Sequence, residues 1–251
     1  MFSAFYKWRH SRVIGKSAIL PHVWLQAIER LPILSRLSMR EREKLIELAT
    51  LFIHYKTFEG AKGLVVTREM ELLIALQACL PILNLGIAWY DGWYSVIVYP
   101  SAFVPRRTVV DENGVHHESS AVLSGESWHK GPVVLAWDEV EQAGIIDGDN
   151  LVIHEFAHKL DLRSGHVNGF PDLHRNMSRQ QWTSDMQAAF SDFHQRLSRR
   201  QKLGINPYAA ESPAEFFAVL SEVFFERPDI LNQYYPEIYQ LFSQFYRQQP
   251  L

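Results

Sequence analysis

The segment NLVIHEFAHKLD, residues 150–161, constrains the fold more than any other part of the sequence. Half of its positions are apolar and neither proline nor glycine interrupts it, which predicts a buried α-helix. His154 and His158 differ by ~40° around such a helix, so both imidazoles lie on one face, and Glu155 follows His154 at ~100°. The fold must therefore bury two imidazoles and a carboxylate in an apolar setting, which is costly unless they are paired.

These three side chains have the spacing of a zinc site of the HExxH kind. His154 and His158 are predicted to bind a single ion. Glu155 is predicted to act as general base on a water at the open coordination position that a catalytic zinc requires. The alternative is a core helix whose histidines donate to backbone carbonyls. Because a metal resolves the cost of burying these groups, the sequence favours one zinc ion per chain.

A catalytic zinc needs a third protein ligand. Glu215 lies in a segment, ESPAEFFAVLSEVFFE, that is apolar on most sides and is predicted to pack against the helix of residues 150–161. Ser212 to Glu215 also matches a capping box, in which Glu215 would only cap its own helix. The residues alone leave these two alternatives open. The downstream candidates as a whole are Asp161, His166, Asp172, His174, Glu211 and Glu215.

Two further residues near this motif have more than one interpretation. Tyr208 could donate a hydrogen bond to the oxyanion of a polarised carbonyl, or it could be a loop aromatic packed on the core. Asp161 lies on the same face as His154 and His158 and suits a hydrogen bond to an imidazole better than direct ligation. It could equally be a solvated charge at the end of its helix.

The order of predicted elements defines an α+β fold. A capping box at Ser38 begins one helix, and a second helix is predicted to start after Thr67 and to end near Pro81. The middle of the chain then turns β-rich, with a strand at 93–100, a hairpin around Asn113-Gly114 and a strand at 132–137, about four strands in all. Helices resume from residue 150, with starts predicted at Ser178, Ser212 and Pro236. We expect an N-terminal helical region over residues 1–75 and a second domain over 76–251, or one continuous domain.

Composition narrows the class of protein. The 251 residues carry a formal net charge of −3, which gives no case for nucleic-acid binding. The longest apolar stretches are interrupted, and no run approaches the ~20 residues of a membrane span. The N-terminus lacks the apolar region of a signal peptide, and the single cysteine, Cys79, fits a reducing compartment. We therefore expect a soluble, cytoplasmic protein.

Taken together, HEFAHKLD and the later Y-x6-EFFA resemble the gluzincin metallopeptidases, and within them the bacterial family of Mlc titration factor A. The catalytic domain of that family is similar to the lethal-factor peptidase. GESWHKGPVVLAWDEV and LDLRSGHVNGFP also resemble family signatures, and the likeness covers roughly residues 60 to 250. The resemblance implies a zincin-like fold with a small mixed sheet over the motif helix, an N-terminal helical layer and a C-terminal helical lobe.

The resemblance also implies roles for individual residues. His154, His158 and Glu215 match the zinc ligands, with Glu211 as the fallback. Glu155 matches the catalytic base, and Tyr208 matches the tyrosine that assists the transition state. The position four residues after the ligand glutamate is often acidic in gluzincins, where it supports a zinc-bound histidine, but here it is a valine. That support must come from elsewhere in the chain, and the two candidates are Asp161 and Glu222.

The implied activity is hydrolysis of peptides, of the aminopeptidase type, with Glu126 or Asp138 as guesses for the group that binds the substrate's α-ammonium. We also expect, from other zinc peptidases, that the strand at 132–137 either is an edge strand that pairs with substrate or lies in the interior of the sheet. The family is named for binding the glucose-responsive repressor Mlc and relieving repression of sugar phosphotransferase genes. A non-catalytic regulator that sequesters a repressor, with a structural or vestigial zinc site, is therefore the alternative function.

Overall fold

The computed structural model describes the greater part of the chain. For residues 2–7 and for the three short strands between 107 and 127 it describes the backbone only. The described ranges are 2–101, 107–110, 116–119, 125–127, 131–142 and 145–251.

Four helices occupy the N-terminal part of the chain: α1 (Phe2–Gly15), α2 (Pro21–Glu29), α3 (Met39–Tyr55) and α4 (Arg68–Cys79). The predicted starts of α3 and α4 are confirmed. The hydroxyl of Ser38 accepts the backbone N–H of Glu41 while the Glu41 carboxylate accepts the N–H of Ser38. Thr67 caps α4 through the N–H of Met70. These caps satisfy backbone donors that the first helical turn leaves without partners.

Six strands form two separate sheets in the described residues. They are β1 (Thr57–Gly60), β2 (Ser95–Tyr99), β3 (Arg107–Val110), β4 (His116–Ser119), β5 (Gly125–Ser127) and β6 (Val133–Ala136). The larger sheet has the order β1-β2-β6-β5. Its first three strands are parallel, and β5 is antiparallel to β6. The sheet is thus small and mixed.

The predicted hairpin is a unit of its own. β3 and β4 pair antiparallel as expected, although their turn at Asn113-Gly114 lies outside the described residues. The four strands of the larger sheet are therefore not the four that the sequence suggested, because β1 and β5 take the place of the hairpin. Both are short: β1 carries little buried apolar surface, and β5 spans only three residues. Neither has the alternating pattern that identifies a strand.

The interpretation of residues 132–137 as an edge strand is wrong. β6 lies between β2 and β5, and all four of its residues are buried. A strand covered on both faces reads as a continuous apolar run, as VVLA does. In the described part of the sheet the strand at this end of the order is β5. The chain also leaves the sheet earlier than predicted, because a short helix begins at Trp137.

The remaining helices are α5 (Trp137–Gln142), α6 (Leu151–Asp161), α7 (Arg179–Ser198), α8 (Pro213–Glu226), α9 (Pro228–Tyr234) and α10 (Pro236–Tyr246). The starts predicted at Ser178, Ser212 and Pro236 agree with α7, α8 and α10. The element order confirms the α+β class. In the described ranges no helix has the length and apolar character needed to span a bilayer.

One hydrophobic core joins the helices to the larger sheet. It extends from Trp24 in α2 to Tyr246 in α10, so residues 1–75 and 76–251 both contribute to it. The ring of Phe156 in α6 is fully buried in this core, and its centroid lies 5.5 Å from that of Phe52 and 5.1 Å from that of Tyr90. One side of α6 packs against β5 and β6, and another packs against α8. These contacts fix the motif helix between the sheet and the C-terminal helices.

Candidate metal centre

The motif helix α6 is held by a cap and by its apolar face. Asn150 is the N-cap, and its Oδ1 accepts the N–H of Ile153 at 3.0 Å. Val152, Ile153, Phe156, Ala157 and Leu160 are fully buried. The imidazoles of His154 and His158 share the remaining face, with ring centroids 4.8 Å apart. Core packing therefore holds the two histidines side by side, as the spacing predicted.

The carboxylate of Glu215 reaches this pair from α8. Its Oε2 lies 3.0 Å from His154 Nε2 and 3.2 Å from His158 Nε2, and the two Nε2 atoms are 3.2 Å apart. One donor atom from each residue thus forms a nearly equilateral triangle. Among the described residues, these three side chains form the group that could hold a metal ion, and Glu211 lies outside it. We refer to His154, His158 and Glu215 as the ligand group.

The capping alternative for Glu215 has a clear answer. Ser212 is the N-cap of α8, and its hydroxyl accepts the backbone N–H of Glu215 at 3.2 Å. The carboxylate of Glu215 does not return to the N–H of Ser212. It points instead to the two imidazoles. The backbone N–H of Glu215 therefore takes part in the helix cap, while its carboxylate contacts the two imidazoles.

The chemistry of the ligand group fits a divalent cation. Tetrahedral zinc with bonds of ~2.0–2.2 Å to nitrogen and oxygen requires donor atoms ~3.3–3.6 Å apart, a few tenths of an ångström more than the separations observed. His154 Nδ1 lies 2.7 Å from Glu222 Oε1 and donates to it, so a neutral His154 presents the lone pair of Nε2 to the carboxylate of Glu215. Two acceptors 3.0 Å apart repel each other unless a proton or a metal ion lies between them. The donor set, two imidazoles and a carboxylate, is one that zinc favours.

The pKa values in this group follow from burial and mutual contact. Burial alone would raise the pKa of Glu215, but the hydrogen bonds from both imidazoles outweigh it and hold that pKa at about 2. Burial lowers the pKa of His154, whereas Glu222 and Glu215 raise it, and the net direction is upward. The carboxylates of Glu215 and Glu222 therefore favour a positive charge at the imidazoles, and a bound metal ion would supply that charge in place of imidazole protons.

Glu155 is buried beside the ligand group without belonging to it. Its Oε2 has no hydrogen-bond partner among the described residues. Burial raises the pKa of Glu155, and the charges on His154 and His158 partly oppose that rise. A carboxylate with a free oxygen and a raised pKa can accept and return a proton.

Tyr208 lies at the mouth of the site, on the 3₁₀ turn Pro207–Ala210. Asn206 anchors this turn: its Oδ1 accepts the N–H of Tyr208 at 3.0 Å, and its Nδ2 donates to Asp149 Oδ1 at 2.9 Å. The ring centroids of Tyr208 and His154 are 6.0 Å apart, and Tyr208 is 47 % exposed. Burial and nearby carboxylates, Glu215 first among them, raise the pKa of Tyr208 to about 12. The phenol therefore remains a hydrogen-bond donor at neutral pH.

The two candidates for a hydrogen bond to a histidine of the ligand group, Glu222 and Asp161, have different partners. Glu222 contacts His154 Nδ1, whereas Asp161 accepts the backbone N–H groups of Asn168 and Gly169 at 2.8 and 2.7 Å. Within the described part of the chain, Asp161 Oδ1 and His158 Nδ1 are both buried without a hydrogen-bond partner, so Asp161 does not bond to an imidazole. Glu222 is seven residues after Glu215, two helical turns along the same face of α8.

The guesses for an ammonium-binding carboxylate remain predictions. Asp138 lies in α5, where its Oδ1 accepts the N–H of Glu139 at 2.9 Å. Glu126 lies in β5, next to α6, but its side chain is outside the described part of the chain.

Comparison with known proteins identifies the family of the chain. A family model described as glucose-regulated metallo-peptidase M90 matches residues 5–247. Proteins named Mlc titration factor A from Yersinia pestis and Yersinia pseudotuberculosis are each 39 % identical over 232 residues, which is 91 % of this chain and 85 % of theirs. The fold, the ligand group and this match define the class as that of the metallopeptidases. Within it, the chain belongs to the glucose-regulated metallo-peptidase M90 family, as the resemblance predicted.

Proposed function

We propose that this protein is a zinc-dependent peptidase with a zincin-like catalytic fold and one zinc ion per chain, bound by His154, His158 and Glu215. The observation that carries the proposal is the convergence of these three donor atoms within 3.2 Å of one another. The mixed sheet packed on α6 and the membership in a metallopeptidase family support it.

The residues of this chain divide the chemistry between them. When bound, the zinc supplies a Lewis acid that polarises a peptide carbonyl and lowers the pKa of a water. Glu155 takes a proton from the attacking water onto its free carboxylate oxygen and delivers it to the leaving amine nitrogen. Tyr208 keeps its proton and donates a hydrogen bond to the oxyanion that forms on the carbonyl oxygen.

The substrate in this proposal is an extended peptide that binds along β5. β5 packs against α6 and lies at the end of the described sheet order, so its outer edge offers backbone groups for strand addition. Aminopeptidase activity is part of the proposal, by resemblance. It requires an acidic side chain near the N-terminus of the bound peptide, and Glu126 on β5 is the better situated candidate.

The second candidate function is regulatory. The relatives are named for titrating Mlc, and we propose that this chain also binds a repressor of that kind in the cytoplasm, relieving repression of sugar phosphotransferase genes. The lone thiol, Cys79, is fully buried, which suits a reducing compartment. In the strict form of this alternative, repressor binding is the whole function and the metal is structural or vestigial.

The decisive experiment compares the single variant Glu155→Gln with the single variant Glu211→Gln, which is the matched control. Glu155→Gln removes the base and leaves the ligand group intact, so we expect peptide hydrolysis to fall at least ~100-fold while elemental analysis still finds one zinc per chain. Glu211→Gln removes an exposed carboxylate outside the ligand group and should retain both hydrolysis and zinc.

The outcomes separate the two candidate functions. Hydrolysis by the wild type that a chelator abolishes supports the peptidase. Absence of any hydrolysis, with a repressor still captured by both variants, supports the regulator instead. Loss of zinc in Glu211→Gln would show that the ligand group is wrongly assigned.

A further inference from the structure

Two glutamates on α8 are buried next to the ligand group without belonging to it. Glu222 and Glu226 are 5 % and 3 % exposed and lie one helical turn apart on the same face. A buried carboxylate is costly unless hydrogen bonds satisfy both of its oxygens. The partners of these two residues therefore indicate why an otherwise apolar helix retains them.

Both oxygens of Glu222 are engaged by α6. Oε1 accepts from Nδ1 of His154 at 2.7 Å, and Oε2 accepts the backbone N–H of Asn150, the N-cap of the same helix. Two donors one turn apart on a rigid helix thus fix the rotation of one carboxylate. The carboxylate in turn fixes the rotation of the His154 ring.

We propose that Glu222 is a positioning residue for the metal site, holding His154 in the tautomer that carries its proton on Nδ1 and directs the Nε2 lone pair at the ion. This inference rests on the proposed zinc site. Metal-binding histidines commonly donate their second ring N–H to a carboxylate or carbonyl, which sets the tautomer and strengthens the ligand. Val219 leaves that role unfilled four residues after Glu215, and Glu222 fills it one turn further along α8.

Glu226 provides a matched control. Its Oε2 accepts the N–H of Gly148 at 2.9 Å and that of Asp147 at 3.3 Å, and its Oε1 accepts from Nδ2 of Asn150 at 2.9 Å. Glu226 is therefore the same residue type on the same helix and is similarly buried. Like Glu222, it bonds to the segment that leads into α6. None of its hydrogen bonds involves His154, and this is the difference that the comparison uses.

The experiment compares the zinc dissociation constants of the wild type, Glu222→Gln and Glu226→Gln by competition with a chromophoric chelator. The NH2 group of a glutamine at position 222 must face either the N–H of Asn150 or Nδ1 of His154. The first arrangement opposes two donors, and the second forces the His154 proton onto Nε2, where it blocks the metal. We expect a ~10–100-fold weaker zinc affinity for Glu222→Gln and less than a threefold change for Glu226→Gln.

Thermal unfolding of the metal-free proteins separates positioning from folding. If both variants lose stability but Glu222→Gln alone loses zinc affinity, the positioning role is supported. Equal zinc affinities in the two variants, whether unchanged or equally weakened, would overturn it.

A metal-independent measurement covers the remaining outcomes. In nitrogen-15 NMR spectra of the metal-free wild type, we expect His154 to carry a slowly exchanging proton on Nδ1. A proton found only on Nε2 overturns the inference even if Glu222→Gln does not fold. If the wild type fails to bind zinc, the proposed function fails, whereas the Nδ1 proton still decides the role of Glu222.

Discussion

The hydroxyl of Ser212 accepts the backbone N–H of Glu215 at 3.2 Å, and this contact begins α8 at the point where the helix meets the metal site. Because Ser212 satisfies that donor, the Glu215 carboxylate is not needed for capping. It extends towards the two imidazoles of α6. The helix start and the proposed third ligand are therefore one structural unit.

Ser212→Ala tests this unit. Loss of the cap is expected to destabilise the protein by about 1 kcal/mol and to weaken zinc binding, since the first turn of α8 carries Glu215. Ser178→Ala is the control, because Ser178 caps α7 through the N–H of Gln181 at 3.2 Å without touching the ligand group. Urea unfolding and zinc competition should show a similar stability loss in both variants and weaker zinc in Ser212→Ala alone. Equal zinc affinities would contradict the link between cap and ligand.

Tyr208→Phe isolates the proposed oxyanion donor. The side chain is half exposed, and no described residue bonds to its hydroxyl, so the free energy of unfolding and the zinc affinity should change little. Loss of one oxyanion donor costs ~10²–10³ in kcat, and we expect a fall of at least the lower figure with little change in KM. Tyr94→Phe, at a more exposed tyrosine, should keep full activity. A Tyr208→Phe enzyme with wild-type kcat would remove Tyr208 from the mechanism.

The sequence predicted the parts of this protein that depend on local chemistry. The imidazole pair follows from helical periodicity, and Ser38, Thr67 and Ser212 mark helix starts because their side chains bond to nearby backbone. Those contacts span a few residues and leave a pattern in the chain.

What the sequence did not predict depends on residues far apart. β5 is a strand only because it pairs with β6, and β1 only because it pairs with β2. The sequence leaves Glu222 and Asp161 as alternatives, because the contact of Glu222 with His154 requires the packing of α8 on α6. The contact between the N–H of Asn150 and Glu222 is missed for the same reason. One signal was available, because the spacing from Glu215 to Glu222 places both carboxylates on one face of a helix.

Gly169, in the loop after α6, packs against the backbone at the start of α8. A side chain at this position should disturb both the loop and the helix start. Its φ is +76°, and an added Cβ would lie 2.4 Å from the carbonyl oxygen of Pro213, two residues before Glu215. Gly165, with a φ of +96° and open space around it, is the control. We expect Gly165→Ala to cost ~1–2 kcal/mol for the left-handed backbone, and Gly169→Ala to cost a further ~1–3 kcal/mol for the clash. Equal losses in urea unfolding would show that the contact with Pro213 relaxes freely.

Glu226 makes the stability of the metal-free protein depend on pH. Burial raises the pKa of this carboxyl from 4.5 to about 7, against the opposing hydrogen bonds from Asn150 and Gly148. The charges of Asp147 and Glu222 also raise the pKa of Glu226. The charge of Glu226 in turn raises the pKa of Arg36, against the larger lowering by burial. The folded state therefore binds this proton more tightly than the unfolded state does.

The free energy of unfolding of the metal-free protein should therefore fall as the pH rises. Below pH 4.5 both states are protonated at Glu226 and its burial carries no charge penalty. Between pH 4.5 and 7 the unfolded state releases the proton first, so the free energy of unfolding falls as pH rises, by up to ~3 kcal/mol, and levels off above pH 7. Glu226→Gln resembles the protonated side chain and should lack this component. Urea unfolding of both proteins in chelator, from pH 4.5 to 7.5, should therefore show the wild type losing stability relative to the variant. Parallel curves would mean that Glu226 ionises in the folded protein near its ordinary pKa.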